Sequence, residues 1–110
     1  MNVTELSEKL GGKILTGENS SEKQVNGVYC CDLLSWVMSH AARGSAWITV
    51  HNHLNIVAVA ALSELSCVII PEGIEAEEAT LKKAAAEGVT IISTSLSAYD
   101  ICCIAHDNGI

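Results

Sequence analysis

Residues 49–62 read TVHNHLNIVAVAAL. The stretch closes a β-branched run, Ala46 to Val50, crosses two histidines and two asparagines, and enters the Ala- and Val-rich segment Ile56 to Leu62. A strand that passes through a short polar loop straight into a helix is the first half of a strand–helix–strand crossover, the unit that builds parallel sheets.

The same grammar recurs along the chain. Val25 to Cys31, Cys67 to Ile70 and Val89 to Ser93 are further strand-like runs, each apolar, β-branched or Cys-rich. Asp32 is placed to cap a helix over LLSWVMSHAA, with Leu34, Val37, Met38 and Ala41 on one face and Gly44 as its stop. Asn55 is placed to cap IVAVAALSE. Glu75 to Glu87 reads as a surface helix with a Glu78–Lys82 pair and Gly88 as its end. Ser97 with Asp100 gives the S-x-x-D capping pattern before a last helix that ends near Gly109. Earlier, Thr4 to Leu10 reads as a short helix stopped by Gly11 and Gly12, and residues 17–24 as a polar loop. Units repeating about every 20 residues are close to the minimum for right-handed crossovers. The expected fold is α/β: one compact domain over residues 1–110 with a mainly parallel sheet built from successive strand–helix units.

Composition narrows the function. Of the 110 residues, 49% are hydrophobic but only 4% aromatic, with no Phe, so the core must be built from Ile, Val, Leu and Ala. A net charge of −7, with six basic residues scattered along the chain, argues against nucleic-acid binding, which takes clustered cations. The apolar run Ile56 to Leu62 is far short of the roughly 20 residues of a membrane span. MNVTELSEKL lacks the layout of a signal peptide. Five cysteines, without C-x-x-C, fit neither a disulfide scaffold nor a zinc ribbon. The expectation is a reduced, cytoplasmic domain with no membrane contact and no cofactor.

In a parallel sheet the loops leaving the strands gather at one edge, where open α/β sheets bind ligands. That edge would collect Asp32, the segment His51, Asn52, His53, Leu54, Asn55, then Pro71 to Gly73, then Thr94, Ser95, Leu96 and Ser97, with three capped helix N-termini. Arg43 and Lys13 would lie at the opposite edge or on the faces. Four readings of this set compete. His51, His53 and Asp32 suit a divalent metal, although residues i and i+2 diverge if the strand continues through them. A histidine base would need a nucleophile, and Thr94, Ser95 or Ser97 comes without a nucleophile signature. Backbone amides, Asn and His together suit a small anionic or nucleotide-like ligand, bound more strongly below about pH 6.5 if protonated histidines supply the charge. The plainest reading is a polar turn that satisfies helix-end N–H groups. A pocket lined by His51, Asn52, His53 and Thr94 would mark a sensor; a flat edge with an apolar patch elsewhere would mark an interaction module. No Walker loop or G-x-G-x-x-G occurs.

GKILTG (12–17), VNGVYCCDLLSWVMSH (25–40), AWITVHNHLNIVAVAAL (46–62), CVIIPEG (67–73) and TIISTSLSAYD (90–100), in this order, resemble a DRTGG domain over Leu6 to about Ile104. The most specific pieces are L-T-G, the G-V-x-x-x-D-L of the second unit, and T-x-x-x-x-x-N-I-x-A-V-A-A-L. Such domains are similar to the N-terminal domain of HPr kinase/phosphorylase and occur attached to phosphotransacetylases and between CBS domains in some pyrophosphatases. The resemblance implies a compact α/β regulatory domain that associates in dimers, without established catalytic activity. It departs at the Asp-Arg pair that names the family, which is missing; HNHLN stands at the corresponding loop, so no role of that pair is implied here. With no P-loop, a kinase label is rejected.

The sequence therefore predicts a stand-alone regulatory or ligand-sensing domain, not an enzyme, with a protein–protein interaction module as the alternative and a metal-dependent enzyme using His51 and His53 behind it. A homodimer is expected because IVAVAALSE is apolar on nearly every face, more than one small domain covers. A separate partner protein is the other occupant considered. Trp36 and Trp47 are expected in the core or at that contact, and the cysteines as small buried hydrophobes.

Overall fold

The computed structural model describes Met1–Ile110. Its strands are β1 (Lys13–Thr16), β2 (Gly27–Cys30), β3 (Ser45–Ile48), β4 (Cys67–Ile70) and β5 (Ile91–Ser93). Its helices are α1 (Val3–Lys9), α2 (Leu34–His40), α3 (Asn55–Leu62), α4 (Glu78–Glu87) and α5 (Ala98–Asp107). The sheet order is β1-β5-β4-β3-β2. β2 to β5 are parallel and pair in chain order, and β1 closes the far edge antiparallel to β5.

Parallel strands that advance one place at a time, joined by right-handed crossovers, must carry every connecting helix on one face. The core divides accordingly. Val37 of α2, Ile56, Val57, Val59 and Ala60 of α3 and Ala84 of α4 pack with Trp47, Val68, Ile70 and Ile91 on one side of the sheet. The other side is closed by the two helices outside the crossovers: Val3 and Leu6 of α1 and Ile101 of α5 pack with Ala46, Ile48, Cys67, Ile69 and Ile92. Successive residues of β3, β4 and β5 alternate between these clusters, as the two-residue period of a strand requires.

Several local expectations change. Residues 13–16, unassigned in the sequence reading, become β1, and Lys13 pairs with Ser93 at the carboxyl end of β5 rather than lying at the opposite edge. α2 ends at His40, not at Gly44, because residues 42–44 are taken up in a turn: Ser45 N donates to Ala42 O and Gly44 N to Glu64 O. Met38 faces solvent, and Trp36, half exposed, stacks on His40 at 3.9 Å between ring centroids; Trp47 alone is a core tryptophan. Asp32 and Asn55 cap nothing: Leu33 precedes α2 without a side-chain cap, and a tight turn from His53 and Leu54 starts α3. Ser97 does cap α5, its Oγ accepting from Asp100 N at 3.1 Å.

The L-T-G stretch acquires a structural meaning. Thr16 Oγ1 donates to Val89 O at 2.9 Å, and Thr90 Oγ1 donates to Gly17 O at 2.9 Å. Two reciprocal hydroxyl bonds thus clasp the short antiparallel edge to β5. Gly17 has φ of +72°, and a Cβ there would stand 2.7 Å from Thr90 Cα and Val89 O. Gly73, with φ of +69°, has nothing within 4 Å of a built Cβ. Gly73→Ala is expected to cost about 1–2 kcal/mol from its left-handed backbone alone. Gly17→Ala, which must also displace backbone, is expected to cost on the order of 3 kcal/mol. Equal losses in urea unfolding of the two variants would contradict the clasp.

Candidate functional site at the strand ends

Asp32 follows β2 by two residues and turns back over the end of the sheet. Its Oδ1 accepts from Thr49 Oγ1 at 2.8 Å and from Val50 N at 3.0 Å. Thr49 is buried and in turn accepts from His51 N at 3.2 Å. His51 Nε2 reaches the backbone carbonyl of Asp32 in a short hydrogen bond. Because a carbonyl only accepts, Nε2 carries the proton and Nδ1 is left for another partner. Trp47 Nε1 donates to Cys31 O at 2.8 Å, fastening the same two strand ends from inside the core. The carboxylate expected as a helix cap therefore serves as a clamp between the β2–α2 and β3–α3 loops.

Asn52 ties the second loop to the third. Its Nδ2 donates to Glu75 O at 2.7 Å, and its carbonyl accepts from Glu77 N and from the buried Thr80 Oγ1. β3 ends at Ile48, so the strand does not carry His51 and His53 to opposite sides; their rings meet edge-on with centroids 5.4 Å apart. Asn55 is exposed as the first residue of α3. Thr94 and Ser95 lie at the end of β5, two strand positions from β3 and so about 10 Å away along the edge. Thr94 is buried, its hydroxyl donating to Leu10 O and accepting from Leu96 N. Ser95 is exposed. The structure thus brings Asp32, His51, Asn52 and His53 together and sets Thr94 and Ser95 apart. No three His, Cys, Asp or Glu side chains converge as a metal site.

The electrostatics of this edge are uneven. Glu72, Glu75 and Glu77 follow β4 in the loop beside the histidines, while the one basic residue at the strand ends, Lys13, stands three strand positions from β3. The larger of two clefts, ≈ 600 Å³, opens elsewhere, between Lys23, Asn26, Arg43, Glu64, Ser66 and Glu87 at the amino ends of the strands. The smaller lies beside Gly17 and Ala85. Arg43 in the larger cleft is ion-paired with Glu64. Sequence reading missed this cleft because its walls come from four separate stretches of chain.

The clamp has a measurable consequence. Asp32→Ala leaves the Thr49 hydroxyl and the Val50 amide without their acceptor, and is expected to cost about 1–2 kcal/mol. Asp32→Asn keeps an oxygen in place and should recover most of that loss. Thermal unfolding of the two variants decides it: equal destabilisation would mean that charge, not the acceptor, matters.

The comparisons with known proteins agree with this geometry. A family model for the DRTGG domain matches residues 5–107. Among solved structures, the chain is similar to the CBS and DRTGG domains of the regulatory region of Clostridium perfringens pyrophosphatase, complexed with the activator diadenosine tetraphosphate. The TM-score is 0.76 at 13% identity, over 94% of this chain and 45% of that one. The chain thus spans less than half of that structure, and at this identity the likeness is one of fold. A search of curated proteins finds no match. With the L-T-G clasp, the Asp32 clamp and the α3 run all inside the matched residues, the chain belongs to the DRTGG domain family.

Proposed function

We propose that this DRTGG domain is a cytoplasmic regulatory module that carries out no chemical step itself and acts by association, with a second copy of the chain seated on the outer face of α3. The observation that carries this reading is the exposed stripe Leu54, Ala58, Ala61 and Leu62. These positions, spaced 4, 3 and 1 apart, share the helix face opposite the buried Ile56, Val57, Val59 and Ala60. Leu62 is 74% exposed. Leu33 and Trp36 of the α2 segment, also exposed, add apolar surface on the same side of the sheet, and exposed Val50 lies beside Asp32. Scattered exposed apolar residues are ordinary, but a helix apolar all round calls for a partner, and two-fold pairing is the commonest solution. The flat strand-end edge supports association over a pocket-based sensor.

A second reading, sensing of a nucleotide-like molecule at His51 to Asn55, is supported by the activator in the similar pyrophosphatase region. A separate partner protein on the α3 face is the remaining outcome.

Sedimentation equilibrium at high micromolar concentration is expected to return twice the 11.6 kDa chain mass, and Leu62→Glu to shift it toward the monomer while leaving circular dichroism unchanged. A wild-type monomer would overturn the pairing. Nucleotides titrated by NMR at about pH 6 and about pH 8 test the second reading separately: protonated imidazoles should strengthen binding at the lower pH, and amides of residues 51–55 that stay still at both values would remove it.

A further inference from the structure

Four of the five cysteines come as adjacent pairs, Cys30–Cys31 at the end of β2 and Cys102–Cys103 within α5. β2 is the sheet's exposed parallel edge, and its alternation sorts the first pair. Val28 packs into the cluster beneath α1 and α5, whereas Tyr29 and Cys31 pack into the cluster beneath α2, α3 and α4. Cys30, two residues after Val28, therefore faces α5. Cys102 packs against the same cluster as Val28 and α5 lies against β2, so Cys30 and Cys102 share one face of the sheet edge, where burial and then the neighbouring Cys102 push the Cys30 thiol up.

We propose that Cys30 and Cys102 are a modification site, a thiol pair that closes reversibly into an intrachain disulfide fastening the exposed edge strand to α5. The remaining thiols are excluded by their places. Cys67 is fully buried, and desolvation pushes its thiol up to about 12, so it is neither accessible nor ionised near neutral pH. Cys31 lies on the opposite face with its Sγ toward Leu33 O. Cys103 is not among the residues of α5 that pack against that cluster. Neighbouring residues in a helix cannot adopt disulfide geometry readily, which sets aside a Cys102–Cys103 bridge.

The oxidant is a low-molecular-weight disulfide. One protein thiolate attacks it, forming a mixed disulfide and expelling one small thiolate; the second protein sulfur attacks the first and expels the other. Two protein S–H bonds and one small S–S bond are exchanged for one protein S–S bond and two small S–H bonds. Two electrons pass to the small disulfide, and both protons end on the released thiols. The new bond ties together residues far apart in sequence, so it restricts the unfolded chain, and it holds β2 two residues before Asp32.

The test treats the full chain with oxidised glutathione, alkylates the remaining thiols and maps the unreduced peptides by mass spectrometry. The expected product has lost two hydrogen atoms, joins the Cys30 and Cys102 peptides, leaves three alkylated cysteines of the five, unfolds at a higher temperature, and reverts with dithiothreitol. Cys30→Ser and Cys102→Ser should each stop at a glutathione adduct or stay reduced. A bridge through Cys31, Cys67 or Cys103, a link between chains, or wild-type adducts that never close would each overturn the proposal. The wild-type peptide map decides even where a variant folds poorly.

Discussion

β4 exposes nothing: each of its residues from Cys67 to Ile70 is buried, with side chains alternating between two clusters. A strand with no solvent face forces the chain to supply cover on both sides. The crossover rule commits α2, α3 and α4 to one side, so the chain's two ends, α1 and α5, are obliged to close the other. That division of labour shapes the rest. α1 must reach the sheet from the N-terminus, and the chain then returns through β1, which can only join the free edge of β5 antiparallel. The clasp at Thr16, Gly17, Val89 and Thr90 fixes this returning strand, whose ladder is interrupted between Ile14 and Thr16.

The layout of β2 to β5 and their helices was legible because a doubly buried strand is written as an unbroken apolar run, CVII or TII, followed by a helix with a stop. Gly88, left-handed at φ +70°, ends α4 where the sequence places it. β1 was not legible, since KILT has only two apolar residues and becomes a strand through pairing with β5, a partner about 77 residues later. Caps failed where tertiary bonds outbid local ones. Asp32 has the composition of an N-cap, but Thr49 and Val50, in the loop after β3, take its carboxylate. A short-range capping rule has no view of a donor seventeen residues away. Ser97 had no such competitor and caps α5.

The site shows the same limit. Placement at the carboxyl ends of the strands follows from parallel order alone, and Asp32, His51 and Asn52 do meet there. What the order of residues does not show is how many of their polar atoms are already engaged. Asn52 binds Glu75, Glu77 and Thr80, and Thr94 binds Leu10 and Leu96. These residues are spent on holding loops to one another, which makes the edge rigid and leaves His53, Asn55 and one nitrogen of His51 as the groups open to a visitor.

Rigidity at that edge bears on how a DRTGG regulatory domain can pass a signal. A signal must pass between a contact and whatever responds to it, and packed elements with few loose loops carry displacement better than mobile ones. Here the Asp32 clamp joins the end of β2 to the end of β3, Asn52 joins the latter to the start of α4, and the Gly73–Thr94 and Glu72–Leu96 backbone bonds join β4 to β5. The four parallel strand ends are thus linked in series. α2 and α3 spring directly from the first two links, so the outer apolar face of α3 and the histidine edge belong to one braced unit. Charge sets what that unit accepts: Asp32, Glu72, Glu75 and Glu77 make the histidine end acidic, and Lys13 is too far along the edge to offset them beyond a Debye length of about 8–10 Å. An anion approaching the histidine end would therefore meet like charge from these carboxylates.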